Sequence, residues 1–282
     1  MDEKKSLNIA EEENDSSLES LEIGEIIQTS QENKQKKHSF TYHVESGMAL
    51  FLATFGVLFM IFHLVFQVLL TPIKVVGTSM QPTINLSVES NVDEDHCDIV
   101  YYNADKSYQN NDIVIVSNNN NEYINDSDVD FLIKRVIACP GQSITFFLTK
   151  TEGFLLARVY YYDFVVKDSN GNVIEIDDSF ITEEMSFSET EYLSYLTNTD
   201  FSYFSEVFAN LRNYATDESK AQTTIQITDN EYFVMGDNRN NSTDSRFFGA
   251  VTKNTISGEV KLQVPYGKNI WQAIWIKLKS IF

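Results

Sequence analysis

Between Met48 and Leu70 the chain reads Met-Ala-Leu-Phe-Leu-Ala-Thr-Phe-Gly-Val-Leu-Phe-Met-Ile-Phe-His-Leu-Val-Phe-Gln-Val-Leu-Leu, without one formal charge. As an α-helix these about 23 residues measure roughly 34 Å, enough to cross the hydrocarbon core of a bilayer. A helix buried in a soluble domain would carry a polar stripe, whereas only His63 and Gln67 interrupt this one. The run lies too far from Met1, and is too long, to read as a cleaved N-terminal leader. It is expected to divide the chain into a tail (1–46), a transmembrane helix (47–70) and a larger C-terminal region. Lys34, Lys36 and Lys37 precede it, and Lys74 is the nearest basic residue after it. The positive-inside tendency then puts the tail in the cytoplasm and the rest outside.

The tail is rich in Glu and Ser and poor in aromatics, which predicts disorder over most of 1–46. The 282 residues carry 41 acidic against 21 basic side chains, a net charge of −20. Phosphate backbones demand clustered Lys and Arg, so nucleic acid is not an expected partner. The last stretch, 269–282, differs locally. Its Trp271, Ile274, Trp275, Lys277, Leu278 and Lys279 suit a short amphipathic helix, lying either at a membrane interface or on the core.

Beyond the span the pattern is β. Residues 112–116, 132–138, 143–148, 157–166, 224–227, 232–235 and 259–264 are β-branched or aromatic runs bounded by turn residues. Asn170-Gly171 predicts a tight hairpin turn, and 188–213 reads as one or two helices.

Three short segments stand out from this background. They are Gly77-Thr78-Ser79-Met80-Gln81-Pro82-Thr83, Lys134-Arg135-Val136-Ile137-Ala138-Cys139-Pro140-Gly141, and the polar stretch Gly236-Asp-Asn-Arg-Asn-Asn-Ser-Thr-Asp-Ser-Arg-Phe-Phe-Gly249. In that order they closely resemble the boxes of the bacterial type I signal peptidases, membrane-anchored Ser–Lys proteases that remove signal peptides from exported proteins. Asn111-Asp112-Ile113-Val114 fits a fourth box, with Asn where the family has Gly. The resemblance runs from about Thr71 to Pro265, and Gly77 makes it Gram-positive-like.

The resemblance implies a mostly β fold: one N-terminal transmembrane helix, then an extracytoplasmic β-rich catalytic domain with a variable α+β insert. The core would comprise 71–150 and 229–268, the insert 151–228, and 269–282 the amphipathic tail. Ser79 matches the nucleophile, Lys134 the general base, and Ser242 a serine whose hydroxyl holds the lysine amine. Asp244 and Arg246 match a supporting ion pair. The Ser79 N–H would supply part of the oxyanion hole; some relatives add a serine two residues earlier, where this chain has Gly77. Val75, Val76, Gly77 and Ile133 match positions that line small pockets favouring Ala-x-Ala. The implied partners are secretory preproteins and the lipid bilayer, near the secretion translocon, with no cofactor and no metal.

The residues themselves fit this chemistry. Of the four histidines, His38, His43 and His63 lie before or inside the span, and His96 lies in an Asp- and Asn-rich loop, so a Ser-His-Asp triad is poorly supported. Histidine and cysteine also lack metal-ligand spacing. A serine nucleophile still needs a base. Lys134, set among Phe131, Leu132, Ile133, Val136 and Ile137, can serve if burial lowers its pKa towards ~7–8, whereas the Arg135 guanidinium stays charged. Cys97 and Cys139 are expected to be two free thiols. A catalytically inactive relative that binds preproteins is the alternative, and would be expected to lack Ser79 or Lys134. A cytoplasmic Ser–Lys autoprotease would need a DNA-binding domain and no span.

Overall fold

The computed structural model describes residues 3–86, 92–104, 107–119, 123–124, 129–181, 183–198, 201–217 and 219–279. The chain divides into two units, Met1–Gln67 and Val68–Phe282. A single helix, α1 (Glu3–Leu69), accounts for the first and ends just inside the second. Its segment Tyr42–Leu64 is long and apolar enough to cross a membrane, with a mean hydropathy of 2.1. That is a few residues earlier than the charge-free run suggested. The described part of the tail, expected to be mostly disordered, is helical in the structure. Residues 3–46 contain no proline and only Gly24, and Glu, Lys, Gln and Leu are strong helix formers, so nothing in the stretch breaks a helix. The helix stops before Thr71 because the residue ahead of a proline, here Pro72, is driven to an extended conformation.

In the second unit, β1 (Thr71–Val75), β2 (Asp98–Asn103), β3 (Ile113–Ser117) and β4 (Phe131–Ala138) come first. A long hairpin follows, β5 (Ser143–Glu152) with β6 (Val159–Lys167), then the short β7 (Val173–Ile174) and β8 (Ser186–Ser188). Two helices, α2 (Glu189–Thr197) and α3 (Ser202–Asn213), precede β9 (Gln222–Gln226) and β10 (Glu231–Met235). The chain ends with α4 (Ser245–Phe248), β11 (Val251–Thr252), β12 (Ile256–Val264) and α5 (Ile270–Lys279).

These strands form two antiparallel sheets. The larger runs β1-β2-β12-β3-β4-β10-β11; the smaller runs β7-β6-β5-β9, with β8 on β6. Within the larger sheet β1 is an edge strand, bonded to β2 from Thr71↔Tyr102 to Val75↔Asp98. β4 pairs with β3 along Phe131–Arg135, but β10 bonds only its Arg135–Ala138 half. The Phe131–Lys134 half of β4 therefore presents a second open edge.

Residues 151–228 do not stand apart from the core strands. Phe146 on β5, Phe208 on α3 and Phe233 on β10 are fully buried, with Phe146 centroids 5.2 Å from Phe208 and 5.9 Å from Phe233. Ile137 and Ala138 of β4 and Met235 of β10 belong to the same cluster. Burying aromatic rings on both sides fuses the smaller sheet and α3 to the back of β4 and β10. Phe208→Ala would leave a ring-sized cavity there. It is expected to cost about 3–5 kcal/mol, measured as a lowered Tm in detergent solution.

Candidate active site

Ser79 sits in a tight turn just after β1. Gln81 N–H donates to the Thr78 carbonyl (3.1 Å) and Ile84 N–H to the Met80 carbonyl (2.9 Å). Met80 and Ile84 plug the turn into the cluster around Val75, Val100 and Ile115. Gly77, at φ +102°, supplies a backbone conformation that a side chain would disfavour. Asn85 fixes the approach. Its amide donates to the Val75 carbonyl (2.8 Å) and the Gly77 carbonyl (3.0 Å), and its Oδ1 accepts from Asp98 N–H (2.6 Å). The Asp98 carboxylate in turn accepts from Asn85 N–H, Gln263 Nε2 and Tyr266 N–H, which ties the turn to β2 and β12.

β4 brings Lys134 to the serine. Its Nζ lies 3.0 Å from Ser79 Oγ and donates to the Ile133 carbonyl at 3.0 Å. Lys134 is 3% exposed. Burial lowers its pKa to about 8, with Asp244 pulling upward and Arg246 pushing down. A neutral amine at that distance can accept the hydroxyl proton instead of donating to it. The next residue faces the other side of the strand. Arg135 makes a bidentate pair with Asp237 (Nε–Oδ1 2.7 Å, Nη2–Oδ2 2.6 Å), and its Nη1 donates to the Asn111 carbonyl at 2.9 Å. Asn111 is at φ +76°. Asn is the non-glycine residue that best tolerates this region, so its substitution for Gly in the fourth box keeps the turn.

The polar stretch after β10 is folded inward. Asp244 and Arg246 form a buried bidentate pair (Nε–Oδ1 2.9 Å, Nη2–Oδ2 2.8 Å). Gly236 N–H donates to Asp244, while Arg246 donates to the Tyr162 hydroxyl (2.9 Å) and the Arg239 carbonyl (2.6 Å). Burial alone would raise the Asp244 pKa, but the Arg246 charge, these hydrogen bonds and Lys134 hold it below the usual carboxylate value. Asn238 N–H donates to the Ser79 carbonyl (3.0 Å), Asn238 Nδ2 to the Thr78 carbonyl (3.2 Å) and Asn241 Nδ2 to Thr78 Oγ1 (2.9 Å). Ser242 stands differently from expectation. Its Oγ is buried with no hydrogen-bond partner among the described residues, and Lys134 Nζ bonds the Ile133 carbonyl. The amine turns along its own strand rather than towards that hydroxyl.

Gly236 explains how these pieces come so close. A Cβ there would lie 2.2 Å from Ser242 Oγ and 2.5 Å from the Ser79 carbonyl oxygen. A groove of about 320 Å³ opens in front, between Ile73–Ser79 and Phe131–Lys134, with Asn241 and Thr243 at its end. Val75, Val76, Gly77 and Ile133 all line it, as do Phe131, expected only as an apolar neighbour of Lys134, and Ile124 and Val129, which sequence reasoning did not single out. Asn85, Asp98 and Tyr162 were missed as well; none belongs to a box, and only long-range contact makes them part of the site. Cys97 and Cys139 are free thiols.

The chain is similar to known proteins. The family model described as "Signal peptidase, peptidase S26" matches residues 48–265. The chain belongs to the peptidase S26 family of signal peptidases. It is therefore a serine endopeptidase of the class that cleaves signal peptides. Two relatives named Signal peptidase I come from Buchnera aphidicola. The one from subspecies Acyrthosiphon pisum is 24% identical over 274 residues, covering 85% of this chain and 81% of the relative. The one from subspecies Baizongia pistaciae is 24% identical over 265 residues, covering 80% and 79%. The crystal structure of a signal peptidase I from Enterococcus faecalis aligns with 55% of this chain and 98% of its own, at 18% identity and a TM-score of 0.27.

Two outcomes follow from the geometry. Gly236→Ala drives a methyl group into the Ser79 carbonyl. A displacement of the serine by about 1 Å costs on the order of 100-fold in rate, to be read as kcat on a signal-peptide substrate with folding checked by circular dichroism. Lys134, depressed to about 8 in the fold against ~10.4 unfolded, penalises folding below pH 8; that penalty is relieved as pH rises from 8 to 10.4. Lys134→Met is accordingly expected to be more stable than wild type at pH 7, by an amount on the order of 3 kcal/mol. Thermal melts across pH 6–11 would show the gap closing above about pH 10.

Proposed function

We propose that Ser79 is the nucleophile and Lys134 the general base of a membrane-anchored peptidase that cuts exported preproteins after Ala-x-Ala. The observation that carries this reading is the 3.0 Å approach of Ser79 Oγ to a buried amine at the end of a groove between two open strand edges. An extended peptide lying between β1 and the first half of β4 satisfies its own backbone groups by strand addition. Alternate side chains then meet Val76 and Ile133 or their neighbours, and bulky ones are refused. Neutral Lys134 takes the Ser79 proton as Oγ attacks the scissile carbonyl, the Ser79 N–H stabilises the oxyanion, and the lysine ammonium returns the proton to the leaving amine. Water then attacks the acyl-enzyme by the same relay. Asp244 and Arg246 support the wall around the pair. Ser242, whose hydroxyl is otherwise unused, is the group expected to turn to the amine when substrate excludes water. The candidate span Tyr42–Leu64 anchors the chain in the membrane; the catalytic unit stands on the extracytoplasmic side, near the translocon, where signal peptides emerge.

The test is cleavage of a secretory preprotein bearing an Ala-x-Ala site by the detergent-solubilised full chain. Wild type should cut after the second Ala, and Ser79→Ala and Lys134→Ala should not. The kcat of wild type should rise with pH through about 8, where Lys134 loses its proton. Cleavage surviving Lys134→Ala would mean another base. A folded wild type that binds the preprotein without cutting it would favour the inactive, preprotein-binding relative.

A further inference from the structure

The charge of this chain is unevenly distributed. After Glu259, residues 260–282 hold Lys261, Lys268, Lys277 and Lys279 and no acidic side chain, in a chain whose net charge is −20. This basic stretch contains α5, which packs on β12. Ala273 is buried beside Val260, Leu262 and Pro265, and Lys277 Nζ donates to the Lys261 carbonyl. Ala273 and Lys277, at i and i+4, define the docked face. Trp271, Trp275 and Leu278 fall at i, i+4 and i+7 on the opposite face and are 50%, 61% and 46% exposed. Lys279 Nζ lies 5.4 Å over the Trp275 ring. A stripe of large, half-exposed apolar side chains, flanked by lysines, suits the headgroup layer of a bilayer, where the rings are buried and the ammonium groups meet lipid phosphates.

The fold brings this helix to the end of the sheet where the chain arrives from its span. Thr71 opens β1, seven residues after Leu64, a reach of roughly 25 Å at most. Thr71 pairs with Tyr102, which pairs with Val260, the neighbour of Lys261. We infer that α5 is a lipid-contacting helix, seating the Trp271–Trp275–Leu278 stripe in the surface of an anionic bilayer.

The test uses the full chain in liposomes of phosphatidylcholine with or without phosphatidylglycerol, each with a fraction of lipid brominated near the headgroup end of its acyl chains. Trp271 and Trp275 are the two tryptophans of the sequence, so emission excited selectively from tryptophan reports on α5 alone. With phosphatidylglycerol the emission should be blue-shifted, lose most of its intensity to the brominated lipid and resist acrylamide. The quenching should weaken in pure phosphatidylcholine, and a Lys268→Glu/Lys279→Glu variant should lose that dependence on anionic lipid. Emission of hydrated tryptophan, quenched by acrylamide and not by bromine, would overturn the inference. Blue-shifted emission without bromine quenching would overturn it as well, placing the stripe against a second copy of the chain. Equal quenching in both lipids would overturn the anionic preference. None of these readouts depends on cleavage, so the inference and the proposed activity fail separately.

Discussion

The structure around the groove depends on keeping one amine out of water. An ammonium placed where Lys134 sits must give up its hydration, and nothing adjacent returns that energy in full. Its first carboxylate neighbour, Asp244, is already committed to Arg246 through two hydrogen bonds and to Gly236 N–H through a third. An uncommitted aspartate there would stabilise the ammonium more strongly; a committed one leaves the amine only weakly compensated. The buried ion pair thus serves less as a source of stability than as a means of occupying the larger of the anionic influences on the amine, Asp237 being held likewise by Arg135.

That commitment reaches outside the boxes. Arg246 is completed by the hydroxyl of Tyr162, which lies on β6, in the stretch that resemblance marks as variable. Tyr162 is buried in the same aromatic cluster as Phe146, Phe187 and Phe208. The smaller sheet and α3 therefore back the site even though they contribute no group to the groove. A substitution among those rings acts on Lys134 through Tyr162 and Arg246, without touching a peptide in the cleft.

Much of this was visible in one dimension. The seven β-branched or aromatic runs all became strands because burial on at least one face leaves a period that sequence records, as in the alternation of β5 through Ser143–Leu148. β1 and β2 were not anticipated: β1 opens on Thr71-Pro72 at the end of an apolar helix, and β2 begins at Asp98 after a loop rich in acids. Ser79 and Lys134 were recognisable only because their neighbours form boxes, and the structure brings them together across 55 residues. Asn85 and Asp98 left no trace, since a buried Asn–Asp clasp depends on the meeting of a turn and the start of β2, which sequence does not align. The tail shows the opposite limit. Its polar composition speaks against a packed core, while its lack of proline places no break in the helix that the structure draws there.

The adjacency of Lys134 and Arg135 carries a last consequence. Successive side chains of a strand point to opposite faces, so one cation looks into the groove and the other into the pair with Asp237. The pleat of β4 thereby sorts a titratable group from a permanently charged one with no intervening spacer. Register with β3, from Ile113↔Arg135 to Ser117↔Phe131, keeps that parity. A single residue inserted between Arg135 and the Pro140-Gly141 turn, with the turn held in place, would preserve every hydrophobic residue in the strand, yet offer the serine a guanidinium that never gives up its proton. In the proposed reaction the length of β4, unlike that of the loops around it, therefore decides which cation meets Ser79.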